Sequence, residues 1–111
     1  MVDPYLDPDI LDFVESVDPA VNWELLTGSP KALFVSQLRA LQVTRFNVVA
    51  RSNSLSHDRF VILDKTVVWH LGASVNGLGK KASMFNAVDD PAQSRAVLGD
   101  FASWWASGIP V

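Results

Sequence analysis

His57-Asp58-Arg59-Phe60-Val61-Ile62-Leu63-Asp64-Lys65-Thr66-Val67-Val68-Trp69-His70-Leu71 contains two apolar, β-branched runs on either side of Asp64-Lys65. Such a pattern reads as strand, tight hairpin turn, strand. Gly72-Ala73-Ser74-Val75-Asn76 follows directly. The whole stretch gathers an imidazole, a fixed cation, a carboxylate and two small polar side chains around one strand-loop-strand element. This collection suits a phosphoryl group.

Working outward, further strands are expected over 22–27, ending at Gly28, over 46–50, and over 82–88. Asp7-Pro8, Ser29-Pro30 and Asp90-Pro91 each place an N-cap side chain before a proline suited to the first helical turn. They predict helices over 8–17, 30–42 and 91–107. The first would bury Ile10, Phe13, Val14 and Val17, and the second Phe34, Leu38 and Leu41. The third aligns Val97, Phe101, Trp104 and Trp105 before stopping at Gly108 and Pro110. A strand, a helix and another strand in this order predict a right-handed parallel crossover. The expected fold is α/β: a mixed, mostly parallel sheet flanked by helices, in a single domain over 1–111.

Composition narrows the function classes. The chain has 111 residues, is 49% hydrophobic and contains four Trp, so it can bury a modest core. Cysteine is absent, which removes disulfides, thiolate metal sites and cysteine nucleophiles. No apolar run is long enough to span a bilayer, and Met1-Val2-Asp3-Pro4 opens no apolar signal core. A cytoplasmic protein without membrane insertion is expected. The net charge of −3 conceals an asymmetry. Residues 1–24 hold seven acids and no Lys or Arg, whereas residues 25–88 hold eight bases against Asp58 and Asp64. The basic segment includes the His57 block, so an anionic ligand fits there as well as a plain solvated face does. The overall acidity argues against a general DNA coater.

The chemistry follows from residue types. On a strand, His57 and Arg59 would project from one face, with the imidazole attacking phosphorus and the guanidinium gripping phosphate oxygens. Asp64 would orient one of them, and Ser74 and Asn76 would complete a pocket. Lys80 and Lys81, in Gly77-Leu78-Gly79-Lys80-Lys81, would line the approach of an anionic backbone. That glycine segment lacks the first glycine and the hydroxyl of a P-loop. His70 reads as an ordinary strand residue, no ordered metal-ligand set is present, and Trp104 and Trp105 read as core or dimer anchors more readily than as base-stacking platforms.

The spacing of His57, Arg59 and Asp64 with the Gly72–Asn76 segment resembles the phospholipase D superfamily signature, H-x-K-x4-D followed by G-S-x-N. Arg59 stands in the lysine position, seven residues separate Asp64 from Gly72 where six are usual, and Gly72–Asn76 carries one residue more than G-S-x-N. Asp3-Pro4-Tyr5-Leu6, Leu71-Gly72-Ala73-Ser74 and Leu78-Gly79-Lys80-Lys81 extend the resemblance to short bacterial or phage domains of that type. The resemblance implies a metal-independent phosphodiesterase, nuclease-like and without cofactor, forming a phosphohistidine. It implies two such motifs per active site, and hence a homodimer for a chain with one. Its substrate would be nucleic acid or another phosphodiester, DNA, RNA and phospholipid being left open. The alternative is a non-catalytic module of the same fold that binds phosphate-bearing ligands or a protein partner. The resemblance also implies a strand before Asp3, of which Met1 and Val2 alone remain. The chain is therefore expected to lack its first strand, or to be excised from a larger protein with flanking domains, and to expose a sheet edge.

Overall fold

The computed structural model describes residues 1–71 and 85–111. Three helices, α1 (Pro8–Ser16), α2 (Ala32–Gln42) and α3 (Pro91–Ser107), alternate with strands β1 (Trp23–Thr27), β2 (Val48–Ser52), β3 (Phe60–Leu63), β4 (Val67–Leu71), β5 (Phe85–Ala87) and β6 (Ile109–Pro110). The strands form two three-stranded sheets, β1-β2-β6 and β3-β4-β5. Val2 bridges them, parallel to Leu26 of β1 and antiparallel to Phe60 of β3.

The expected crossover is present: β1, α2 and β2 follow one another, with β1 and β2 parallel and Trp23 opposite Val48. The sheet is not mostly parallel, however. β2–β6, β3–β4 and β4–β5 are all antiparallel, the β3–β4 pair being joined by the tight turn at Asp64-Lys65.

Local signals set most boundaries. Asp7 and Asp90 cap α1 and α3 by accepting from the Asp9 and Ala92 N–H groups, each at 2.9 Å, and Pro8 and Pro91 open those helices as expected. Ser29 does not cap α2, which starts at Ala32 after Lys31 without a side-chain cap. The loop before it is tied to the strand ends instead, with Gly28 N–H donating to Pro4 O at 3.0 Å. A Cβ on Gly28 would stand 2.8 Å from that carbonyl oxygen, so glycine is required by the close approach. β2 begins at Val48, later than expected; the Asn47 side chain before it donates to Pro19 O and Val21 O, both at 2.6 Å.

The core has two parts, one on each face of the sheet. Ile10, Leu11 and Val14 of α1 and Phe34 and Leu38 of α2 pack with Leu25, Val48, Ala50 and Leu71. Val2, Leu26, Phe60 and Val68 pack on the other face, under Val97, Phe101, Trp104 and Trp105 of α3. The alternation of Leu25 and Leu26, or of Val61 and Ile62, between the clusters is the strand period itself. Phe13, expected in the core, is exposed, and Leu11 is buried there instead. Trp104 and Trp105 face the core only in part, since α3 carries no fully buried residue.

β6 was not expected from its Gly108-Pro110 punctuation. It pairs along β2, with Val111 N–H donating to Ala50 O at 3.1 Å, and Pro110 is tolerable on an outer strand. The last turn of α3 is held by Arg51, which donates to Trp105 O at 2.7 Å, and by Asn53, which donates to Trp104 O at 2.9 Å. Side-chain donors on terminal carbonyls stabilise a helix C-terminus.

Candidate functional site

Because β3 runs antiparallel to Val2, its first residues lie beside the carboxyl ends of β1 and β2. In open α/β sheets this end is where ligands are commonly bound. Here Arg59 meets the Asp3–Tyr5 turn, while Ser52 bonds to Gly28 O and Asn53 N–H to Thr27 O at the end of β1. Ser56 is buried, its hydroxyl donating to Asp58 O at 3.1 Å. His57 and Asp58 are exposed, and no hydrogen bond or ion pair engages the His57 side chain among the described residues.

Arg59 is more constrained. Its Nε lies 3.5 Å from Asp3 Oδ1, and its guanidinium sits 5.7 Å from the centre of the Tyr5 ring. The ion pair is long, and the buried Nε makes no hydrogen bond of good geometry. The Asp3 carboxylate is fully buried and also accepts from Tyr5 N–H at 2.8 Å. Thus the basic residue is anchored on one side by charge and on the other by an aromatic face. The Asp3-Pro4-Tyr5 word, legible in the sequence only as part of a resemblance, is what positions it.

Asp64 lies elsewhere. It and Lys65 form the hairpin turn after β3, both with positive φ of 52° and 56°, and Thr66 N–H closes the turn on Leu63 O at 3.0 Å. At about 3.3 Å per residue, β3 holds Arg59 and Asp64 roughly 16 Å apart along the strand. Within one chain the fold brings His57 and Arg59 to one end of the sheet and leaves Asp64 at the other. The expectations for Ser74, Asn76, Lys80 and Lys81 lie outside the described residues.

Several bases of the positive segment are committed to the fold. Arg45 donates to Glu15 O at 2.9 Å, Arg51 holds α3 and stacks 4.9 Å over Trp105, and Lys65 is 3.8 Å from Glu24. Composition alone does not separate such contacts from a ligand-binding patch. His70 sits beneath α3, its ring 5.3 Å from Phe60, beside a smaller recess that includes Asn86, Asp89 and Gln93. Among the described residues no cluster of three or more His, Asp or Glu side chains is placed to hold a metal ion, and no helix is long and apolar enough to cross a membrane.

Comparison of the chain with protein-family models, with curated proteins and with solved structures finds no match in any of the three. The class defined by the coordinates is therefore a small α/β protein whose exposed histidine and anchored arginine share the carboxyl end of a parallel strand pair.

Proposed function

We propose that the protein is a metal-independent, nuclease-like phosphodiesterase that works through His57 in a twofold homodimer. The observation that carries this reading is the juxtaposition of an exposed imidazole, unengaged among the described residues, with Arg59 at the carboxyl end of the β1–β2 pair. Neutral imidazole attacks phosphorus, forming a P–N bond as the bond to the leaving oxygen breaks. That oxygen takes a proton from the imidazolium of the partner subunit's His57, and water then cleaves the phosphohistidine. Arg59, held by Asp3 and Tyr5, offers its remaining N–H groups to phosphate oxygens as charge develops. Asp64 has no part in this chemistry within its own chain.

A second reading, a non-catalytic module that binds phosphate-bearing ligands, is favoured by the same Arg59 anchorage. A guanidinium already fixed by Asp3 and Tyr5 loses little freedom on receiving a phosphate, which favours binding whether or not a reaction follows.

The experiment is hydrolysis of labelled DNA and RNA in EDTA by wild type and His57→Ala, with sedimentation to establish the oligomeric state. EDTA-resistant cleavage lost in a folded mutant supports the phosphodiesterase. Cleavage retained by the mutant, or a monomeric active species, overturns it. Binding without cleavage establishes the module.

A further inference from the structure

Besides its part in holding Arg59, Tyr5 keeps 67% of its surface exposed, and its place is fixed from two directions. Its N–H donates to the buried Asp3 carboxylate at 2.8 Å, the same carboxylate that draws Arg59 to 3.5 Å. The preceding Pro4 carbonyl accepts from Gly28 N–H at 3.0 Å and from the Thr27 hydroxyl at 3.4 Å. One anion therefore sets both the cation and the ring, and the turn that carries the ring is tied to the end of β1. Arg59 stands over the ring, 5.7 Å from its centre, while its own side chain stays 27% exposed. A cation that reaches solvent and a flat aromatic surface thus stand side by side.

Other exposed aromatic residues lack this company. Phe46 is more open still, but it precedes β2 at its amino end, away from Arg59. Phe13 meets Trp23 edge-on, and Trp69 lies across from Val61 within the β3–β4 pair. A single exposed ring carries no meaning by itself. Beside a cation suited to phosphate it does, because a nucleotide presents the same two features, an anionic phosphate and a planar base, joined by one sugar.

From this pairing we propose that Tyr5 is a base-stacking platform and that the ligand of the Arg59 site is a single-stranded nucleic acid. The proposal rests on the phosphodiester reading of that site and narrows its substrate. Arg59 takes a phosphate, and the ring takes the face of the adjoining base. Such stacking tolerates any sequence, since every base has a π-face. It does require an unstacked base. In a duplex the faces of each base are covered by its neighbours and only the edges open into the grooves, so a fixed ring on the protein surface selects single strands. A phosphatidylcholine has no plane beside its phosphate. Its choline is a cation, and a second cation on a ring that already faces Arg59 meets like-charge repulsion. Tyr5 touches the bound base and no reacting atom, so it governs specificity rather than the chemical step.

The test uses the full chain in a His57→Ala background, so that no ligand is consumed, with Tyr5 intact or changed by Tyr5→Phe or Tyr5→Leu. Polarisation titrations compare a short labelled DNA strand, the RNA of the same sequence, the DNA duplex, an abasic form of the strand, and phosphatidylcholine vesicles. A 2-aminopurine placed in the strand reports stacking through quenching of its fluorescence. The single strands should bind more tightly than the duplex, with the 2-aminopurine quenched, and Tyr5→Phe should preserve both effects. Tyr5→Leu should weaken single-strand binding about tenfold, the worth of one stacked base, and abolish the quenching. It should cost much less on the abasic strand, whereas a mere loosening of Arg59 would weaken both strands alike. Equal losses on the normal and abasic strands, or equal affinity for single strand and duplex, overturn the proposal while phosphodiester binding at Arg59 stands. Tyr5-dependent binding of vesicles in place of strands overturns it in favour of a lipid. Failure of every nucleic acid to bind overturns the nuclease reading and the proposal together.

Discussion

The Met1 ammonium makes the stability of this protein depend on pH in a direction that can be worked out. Its pKa falls from the ordinary 8.0 to about 6 because burial penalises the charged form, an effect that the neighbouring Glu24 only partly offsets. As pH drops below 8 the unfolded chain takes up the proton while the folded chain resists until about pH 6. Folding is therefore most stable above pH 8, loses stability between 8 and 6, and gains nothing back below 6 from this group. The displacement corresponds to about 3 kcal/mol, at ~1.4 kcal/mol per tenfold change in proton affinity. The assay is urea unfolding across this pH window for the protein with a free Met1 amine and for its Nα-acetylated form, which cannot titrate there. The free-amine protein should lose stability toward pH 6 relative to the acetylated one. Equal slopes for the two proteins, or a relative gain for the free amine as pH falls, would refute the reasoning.

Other outcomes are expected from the same geometry. Gly28→Ala forces a Cβ against Pro4 O, 2.8 Å away, and should destabilise by about 1–3 kcal/mol in urea unfolding. Lys65 takes a φ of 56°, so Lys65→Gly should raise the unfolding free energy by about 0.5–1 kcal/mol as the left-handed strain is relieved; a drop would show that the turn is not strained. Arg59→Lys removes the planar contact with Tyr5 and should cost about 1 kcal/mol in stability. In the proposed reaction it should retain turnover, and complete loss in a folded variant would show that the guanidinium fork is required.

The elements legible in the sequence were those written in neighbouring residues. Asp7-Pro8 and Asp90-Pro91 announce α1 and α3 because the cap and the fixed proline φ act within one turn. Asp64-Lys65 announces a hairpin because two apolar runs flank it. Ser29-Pro30 carries the same local signal and fails, since Gly28 is held by Pro4 and the chain has not yet left the strand end. His57, Arg59 and Asp64 have a suggestive spacing, but spacing along a strand is also distance, and β3 carries Asp64 away from His57.

What residue order alone determined, then, was local: three apolar helix stripes, a turn, a β1-α2-β2 crossover, and a basic middle between acidic ends. Tertiary structure decided the rest. Only the assembled sheet could place Met1 and Val2 in its interior instead of leaving an exposed edge, because their four ladder bonds come from β1 and β3, both distant in the chain. Only the assembled sheet could set the Asp3 carboxylate beneath Arg59 and Trp105 O before Arg51, and add β6 beside β2. These contacts depend on which surfaces are buried together, and that follows from the packing of two apolar faces rather than from any run of neighbours.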